Sequence, residues 1–267
     1  MNKIVMPLPD QTVIPWERLR EFCDKLPQEF DHMGELLFAK RNAIRKVVVE
    51  GHTMVVKRYK RCNWLQGIGY GVRHTSKARK AYDNGQELTR RGFSTPRPIA
   101  AVEVWGCGGW RLRECYYICD ESCTDLDLAM TLNQPEEFDK QVAQNFAQYV
   151  AELHKHGVMM IDLNSTNVLF RRDMLENEDV RQRFQLIDIN RMDFAKEGED
   201  AFTTEEQMEN LTRFTGRMDV FEYVAREYAR ARAFDDIEDM TNRAVEQKKK
   251  HDRAWRRRKA ITHPFKH

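Results

Sequence analysis

The chain has 267 residues, 41% of them hydrophobic and 32% charged, with a formal net charge of +2. That length suits one large domain or two apposed lobes around a substantial core. The charge is too small to argue for nucleic acid by itself, and no apolar window approaches the roughly 18 residues that would cross a bilayer.

Cys23, Cys62, Cys107, Cys115, Cys119 and Cys123 show no zinc-ligand spacing. The N-terminus meets Pro7, Pro9 and Asp10 before an apolar run can form, so a signal peptide is not expected. The reading is a cytoplasmic protein with free thiols. Basic residues cluster at Lys57 to Arg61, Arg73 to Lys80 and Lys248 to Lys259, patches that suit phosphates or anionic surfaces.

In chain order, residues 16 to 26 put Trp16, Leu19, Phe22, Cys23 and Leu26 on one helical stripe, closed by Pro27. Strand-like texture follows from Glu35 to Tyr59, with Glu50-Gly51-His52 as the turn of a hairpin whose second strand carries Lys57. Residues 76 to 91 predict a helix capped by Ser76 and ended by Gly92, in which Gly85 hints at close packing. Strands are expected over Ile99 to Trp105 and Trp110 to Ile118, joined by a glycine-rich turn. A strong helix spans 137 to 156, with Phe138, Val142, Phe146, Tyr149, Val150 and Leu153 on its apolar face and Gly157 as its stop. Short apolar runs then occur at Val158 to Ile161, Val168 to Phe170 and Phe184 to Ile189. From about 203 onward the pattern is helical and increasingly charged. The layout predicts an α+β, two-lobed chain: a sheet-rich lobe over 1–118 with one inserted helix, and a helical lobe over 119–267.

The chemistry concentrates in Ile161-Asp162-Leu163-Asn164-Ser165-Thr166-Asn167 and in the later Leu186-Ile187-Asp188. A helix, a glycine, a short strand, DLNxxN, another strand and LID form an ordered constellation. Phosphoryl transfer needs hard oxygen ligands for magnesium, a carboxylate to orient the acceptor hydroxyl and a cation on the nucleotide phosphates. Asn167 and Asp188 suit the first task, Asp162 the second and Lys57 the third.

These segments resemble the lipopolysaccharide kinase branch of the protein-kinase-like superfamily, enzymes that phosphorylate inner-core sugars or Kdo. The resemblance spans roughly residues 38 to 195. It rests on Arg41-Asn42-Ala43-Ile44-Arg45 with Met54-Val55-Val56-Lys57-Arg58-Tyr59, on Ser76 to Pro98 with Gly92, Thr95, Pro96 and Pro98, and on Asp162, Asn167 and Asp188. It implies a bilobal protein-kinase-like fold using ATP and Mg2+. It also implies Lys57 on the phosphates, Asp162 as the catalytic-loop aspartate, Asn167 and Asp188 on the metal, and a carboxylate holding Lys57. Glu87 or Asp83 would be that carboxylate. Ordinary backbone N–H groups of the first hairpin, or Asn42 and Arg45, would approach the phosphates, and the linker around Cys119-Asp120-Glu121 would meet adenine. Asn164 is a further candidate for positioning the acceptor or the metal, while His154 and His156 read as stabilisers of a helix end.

The chain departs from protein kinases in three ways. Met160-Ile161-Asp162 replaces His-Arg-Asp, Asp188 is followed by Ile189-Asn190 and not Phe-Gly, and the first hairpin lacks a G-x-G-x-x-G. The missing arginine favours a constitutive small-molecule or glycolipid kinase over one switched by a phosphorylated loop. The expected acceptor is a sugar of a lipopolysaccharide core or a related glycolipid, drawn by Arg73, Arg79 and Arg97. Another small-molecule or protein acceptor, or a pseudokinase scaffold, is the alternative. The basic tail would touch an anionic membrane at the inner face of the inner membrane rather than nucleic acid.

Overall fold

Glu50 and Gly51, at φ 50° and 76°, make a two-residue turn between strands β3 (Ala43–Val49) and β4 (His52–Arg58). Positive φ at both turn positions matches the twist of the flanking strands. The turn fixes the register, with Ile44 opposite Lys57. The computed structural model describes residues 2–8, 12–61, 69–70, 75–134, 137–196 and 202–262, with side chains as far as 258.

Two compact units share the chain. The first comprises Met1–Arg91, Thr95–Cys123 and Asp188–Arg191; the second comprises Gly92–Ser94, Thr124–Ile187 and Met192–His267. The first is built on a six-stranded sheet in the order β1-β5-β6-β4-β3-β2. Its other strands are β1 (Asn2–Val5), β2 (Glu35–Ala39), β5 (Pro98–Gly106) and β6 (Arg111–Asp120). Every pairing in it is antiparallel.

Helix α1 (Trp16–Glu29) lays Leu19, Cys23 and Leu26 on Val47, Met54, Val56, Val102, Tyr116 and Ile118. It continues past the stop expected at Pro27, which sits inside the last turn. There a proline removes one backbone bond near an end that is already frayed, which the buried apolar stripe outweighs.

Helix α2 (Lys77–Arg90) begins where the Ser76 hydroxyl accepts from the Arg79 N–H at 3.0 Å. It covers the other face of the sheet, against β5 and β6. Glu103 marks that face: its neighbours Val102 and Val104 point toward α1, whereas its carboxylate accepts from the Ser76 N–H at 3.2 Å.

The second unit is organised by α4 (Lys140–Lys155), whose inward face carries Val142, Phe146, Tyr149, Val150 and Leu153. It starts three residues later than its periodicity suggests, because the Asp139 carboxylate accepts from the Val142 N–H and caps the helix. Phe138 therefore lies outside the helix, edge-on to Tyr223. Phe146, Phe170, Phe184, Phe214 and Phe221 form an aromatic core, with Phe146 5.2 Å from Phe214 and Phe170 5.6 Å from Phe184. Helices α3 (Leu128–Leu132), α5 (Thr204–Leu211), α6 (Met218–Ala231) and α7 (Ile237–Thr262) complete the unit.

Its strands are short. Strand β9 (Val168–Phe170) lies between β7 (Leu126–Asp127) and β10 (Gln185–Leu186), and β8 (Val158–Met160) pairs with β11 (Met192–Phe194). These small ladders frame the loop that carries Asp162 and Asn167. No described helix is long and apolar enough to cross a membrane. Cys23, Cys107, Cys115, Cys119 and Cys123 are free thiols, and Cys62 falls outside the described residues.

Candidate active site

Alternation along β4 turns Val56 into the α1 core and Lys57 to the opposite face. There the Lys57 ammonium, 13% exposed, lies 2.6 Å from Asp188 Oδ1 and 5.1 Å from the centre of the Tyr59 ring. Tyr59 is buried, and its hydroxyl has no hydrogen-bond partner among the described residues. Burial and then the Asp188 charge hold that phenol well above its ordinary pKa.

Asp188 adopts φ 56°. Asp is one of the few non-glycine residues that tolerate this left-handed backbone. Ile189 is buried against Gly85, and its carbonyl accepts from Asn84 Nδ2 at 2.7 Å, which secures the segment to α2.

In the second unit, α4 ends at Gly157 with φ 64°, and β8 leads into the loop that carries Asp162 and Asn167. The Asp162 carbonyl accepts from Asn164 N at 2.7 Å and from Asn167 Nδ2 at 3.2 Å. Asn167 thereby spends its amide nitrogen on the loop. Asn164 caps the turn: its Oδ1 accepts from both Thr166 N and Thr166 Oγ1 at 3.1 Å. The Ile187 N–H donates to the Asn167 carbonyl at 3.0 Å, tying β10 to the loop.

Lys57 and Asp188 thus meet in the first unit, and Asp162 and Asn167 meet in the second. Other expectations need correction. Neither Glu87 nor Asp83 holds Lys57: Asp83 binds Arg79 at 2.7 Å, and Glu87 binds Arg90 at 2.8 Å and Arg91 at 2.7 Å. Ala81 and Gly85 face the sheet, and two positions along a helix turn a side chain through about 200°, which sends 83 and 87 away from it.

Asp120 is a structural strut. Its N–H donates to the Arg97 carbonyl, and its carboxylate takes His52 at 2.7 Å and Arg97 at 2.9 Å, so it has no spare backbone donor for a base. Asn42 Oδ1 accepts from the Lys60 N–H at 3.1 Å and pins the β2–β3 turn. Arg45 is likewise committed, donating to the carbonyls of Asp31 and Met33. Arg79 and Arg97 are neutralised by these carboxylates, and Arg73 lies outside the described residues.

Comparison with known proteins bears on what this loop architecture is. The sequence profile of the lipopolysaccharide kinase (Kdo/WaaP) family matches residues 73–231, more than half of the chain. The chain belongs to that family. No curated protein matches it. Among solved structures, WaaP in complex with acyl carrier protein is similar at a TM-score of 0.58 and 16% identity, over 97% of this chain and 98% of that one. More distant likenesses are a MAP kinase of Leishmania major and the PknI kinase domain of Mycobacterium tuberculosis. The first has a TM-score of 0.38 at 15% identity over 85% of this chain and 65% of that one. The second has 0.42 at 14% over 80% and 93%. The fold is the bilobal, protein-kinase-like α+β fold of the Kdo/WaaP kinases, with a sheet-rich N-lobe and a helical C-lobe.

Two residues of this Kdo/WaaP chain that pattern reading overlooked support the loop from α5 and from the turn after it. Asn210 Nδ2 donates to the Met160 carbonyl at 2.7 Å and Arg213 Nη1 to the Ile161 carbonyl at 3.0 Å. Neither has a sequence signal, because each acts on a backbone atom about fifty residues away.

Proposed function

We propose that the protein transfers the γ-phosphoryl group of ATP to a sugar hydroxyl of a lipopolysaccharide core, Kdo or a related glycolipid. The observation that carries this reading is the 2.6 Å pairing of Lys57 with Asp188 in a chain of the Kdo/WaaP family. In this reading residues 1–118 serve the nucleotide and 119–267 carry the catalytic loop and acceptor side.

Lys57 neutralises nucleotide phosphates. Its partner Asp188 is an exposed carboxylate, and Asn167 Oδ1 is a second hard oxygen. Magnesium is commonly held by one or two such donors together with substrate phosphates, so the residues present fit the ion. Among the described residues no group of three or more His, Cys, Asp or Glu gathers, so the nucleotide and water would complete the shell. When bound, the ion would neutralise charge building on the transferred group. Asp162 orients the acceptor hydroxyl and takes its proton.

A groove in the second unit suits an anionic acceptor. Arg213, Lys250, His251, Trp255 and Arg258 line it, and Arg213 also touches the backbone next to Asp162. Cations recognise carboxylate or phosphate on the sugar, and an exposed indole can cover an apolar sugar face. Arg256, Arg257 and Arg258 are exposed beside Trp255, which supports peripheral contact with an anionic membrane from the cytoplasmic side. WaaP's complex with acyl carrier protein makes an acyl carrier protein a partner to test.

The test is mass spectrometry of ATP turnover with a panel of deacylated core oligosaccharides, using Asp162→Asn as the blank. The expected product is heavier by one phosphate, with ADP released. ATP binding without transfer to any core acceptor overturns this substrate class.

A further inference from the structure

His154 stands in the last turn of α4 and is 1% exposed. Its Nδ1 lies 2.8 Å from the Tyr228 hydroxyl on α6, and its Nε2 lies 3.1 Å from Asn210 Oδ1 on α5. On each side the bonds reach a backbone carbonyl. Asn210 Nδ2 donates to the Met160 carbonyl at 2.7 Å. Gln207 Nε2 donates to the Phe202 carbonyl at 2.9 Å, while the Tyr228 hydroxyl lies 2.8 Å from Gln207 Oε1.

A backbone carbonyl only accepts, so neither amide can be flipped. Asn210 must present its oxygen to His154 Nε2, which therefore needs a proton. Gln207 must present its oxygen to Tyr228, which spends its single O–H proton there and can only accept from His154. Nδ1 therefore needs a proton as well. With a neutral ring, either Nε2 faces Asn210 Oδ1 lone pair to lone pair, or the Tyr228 and Gln207 oxygens do. A buried mismatch of that kind carries the full desolvation cost of the unpaired groups.

We propose that His154 is held as an imidazolium and that, with Asn210, it positions the catalytic-loop aspartate Asp162. Asn210 fixes the carbonyl two residues before Asp162, and the charged ring fixes Asn210. This deepens the kinase reading above and rests on it for the role of Asp162.

The end of α4 supplies the compensating field, since the negative end of a helix dipole favours a cation in its last turn. Among the described residues, charged groups on the surrounding helices have partners of their own. On α4, Glu152 holds Lys155 and His156. On α5, Glu205 holds Arg243, Glu206 caps Thr203 and Glu209 lies beside Arg213. On α6, Glu227 holds Arg230 and accepts from Gln144, and Glu222 holds Arg226. On α7, the buried Lys248 is paired with Asp252.

The experiment is long-range proton–nitrogen NMR on the full chain labelled at histidine nitrogens. An ordinary histidine titrates near about 6.5 and is mostly neutral at neutral pH. Both ring nitrogens of His154 are expected to carry protons there; a neutral ring overturns the proposal. In Gln207→Leu the tyrosine proton is released toward Nδ1, so a neutral ring fits and proton affinity at His154 should fall at least tenfold. An unchanged affinity overturns the network logic.

Positioning is read without activity. In Asn210→Ala the amides of residues 161–164 should exchange at least tenfold faster, and unchanged exchange overturns that role. With an acceptor in hand, Asn210→Ala should lower kcat roughly ten- to a hundred-fold with KM for ATP unchanged. Wild-type kcat should fall as pH rises through the His154 titration, and that limb should disappear in Gln207→Leu, whose neutral ring keeps its Nε2 proton on Asn210. An inactive wild-type protein with a cationic His154 and slow exchange would sink the kinase reading and leave the network standing.

Discussion

Gly85 lies so close to Pro98 that a β-carbon built on it would stand 2.4 Å from the ring's Cγ and 3.1 Å from Ile189 Cδ1. Helix α2 docks on β5 through this approach, and the segment after Asp188 is packed into the same seam. In an open helix Gly→Ala gains about 1 kcal/mol. Here overpacking costs about 1–3 kcal/mol, so Gly85→Ala should be destabilising on balance. Urea unfolding will show a lower midpoint, whereas a midpoint at or above wild type would mean the Pro98 ring yields at no cost.

Arg91 is 8% exposed and donates to Glu87 at 2.7 Å. Hydrogen bonds from Arg90 and then Arg91 hold the Glu87 carboxyl at about 2, below its ordinary 4.5, against the opposing effect of burial. A carboxyl depressed by folding stabilises the native state above its unfolded pKa, and that contribution is lost as pH falls through the folded value. Thermal midpoints should therefore decline between pH 4.5 and about 2, and Glu87→Gln should flatten that limb while costing about 1 kcal/mol at neutral pH. Since Lys57 is held by Asp188, the same variant should leave ATP turnover intact. A large loss of turnover in a well-folded Glu87→Gln protein would return Glu87 to the ion pair.

The elements legible in the sequence are those where local pattern and packing agree. The two-residue turn at Glu50-Gly51, the capped helix after Ser76 and the strand at Val168 to Phe170 each follow from residues close together in the chain. The order Asp162, Asn167, Asp188 is likewise a local signal repeated at the right spacings. Side-chain partners were not legible. Glu87 and Asp83 lie on the right helix, but the phase of that helix is set by Gly85 meeting Pro98, which depends on a strand eight residues beyond its end. Asp120 looks like a linker residue and is claimed by His52 and Arg97, whose approach depends on how β4 and β5 flank β6. His154 reads as a helix-end cation; its partners come from two helices further along the chain.

Asp188 at φ 56° sets the choice of variant for the ion pair. Asparagine tolerates the left-handed region, so Asp188→Asn removes the charge without adding backbone strain. Lys57→Met keeps most of the side-chain volume beside Tyr59. Each should lower phosphoryl transfer about 10²–10⁴-fold with a change in thermal midpoint of only a few degrees. Turnover assays paired with calorimetry check this. Transfer reduced less than tenfold in both variants would remove Lys57 and Asp188 from the chemistry.

Lys250 is an exposed cation in the groove shared with Arg213, Trp255 and Arg258. If an anionic sugar lies there, Lys250→Glu replaces an attraction by a repulsion, each about 1 kcal/mol at contact distance in water. The KM for the acceptor should rise roughly thirtyfold, with kcat and the KM for ATP unchanged, and the effect should shrink at high salt as screening grows. The carbonyls that lead to Asp162 are bonded by Asn210 and Arg213 and not by Lys250, so the variant separates acceptor capture from catalysis. An acceptor KM that does not move would take the groove out of substrate binding, and an equal rise in the KM for ATP would assign its cations to the nucleotide instead.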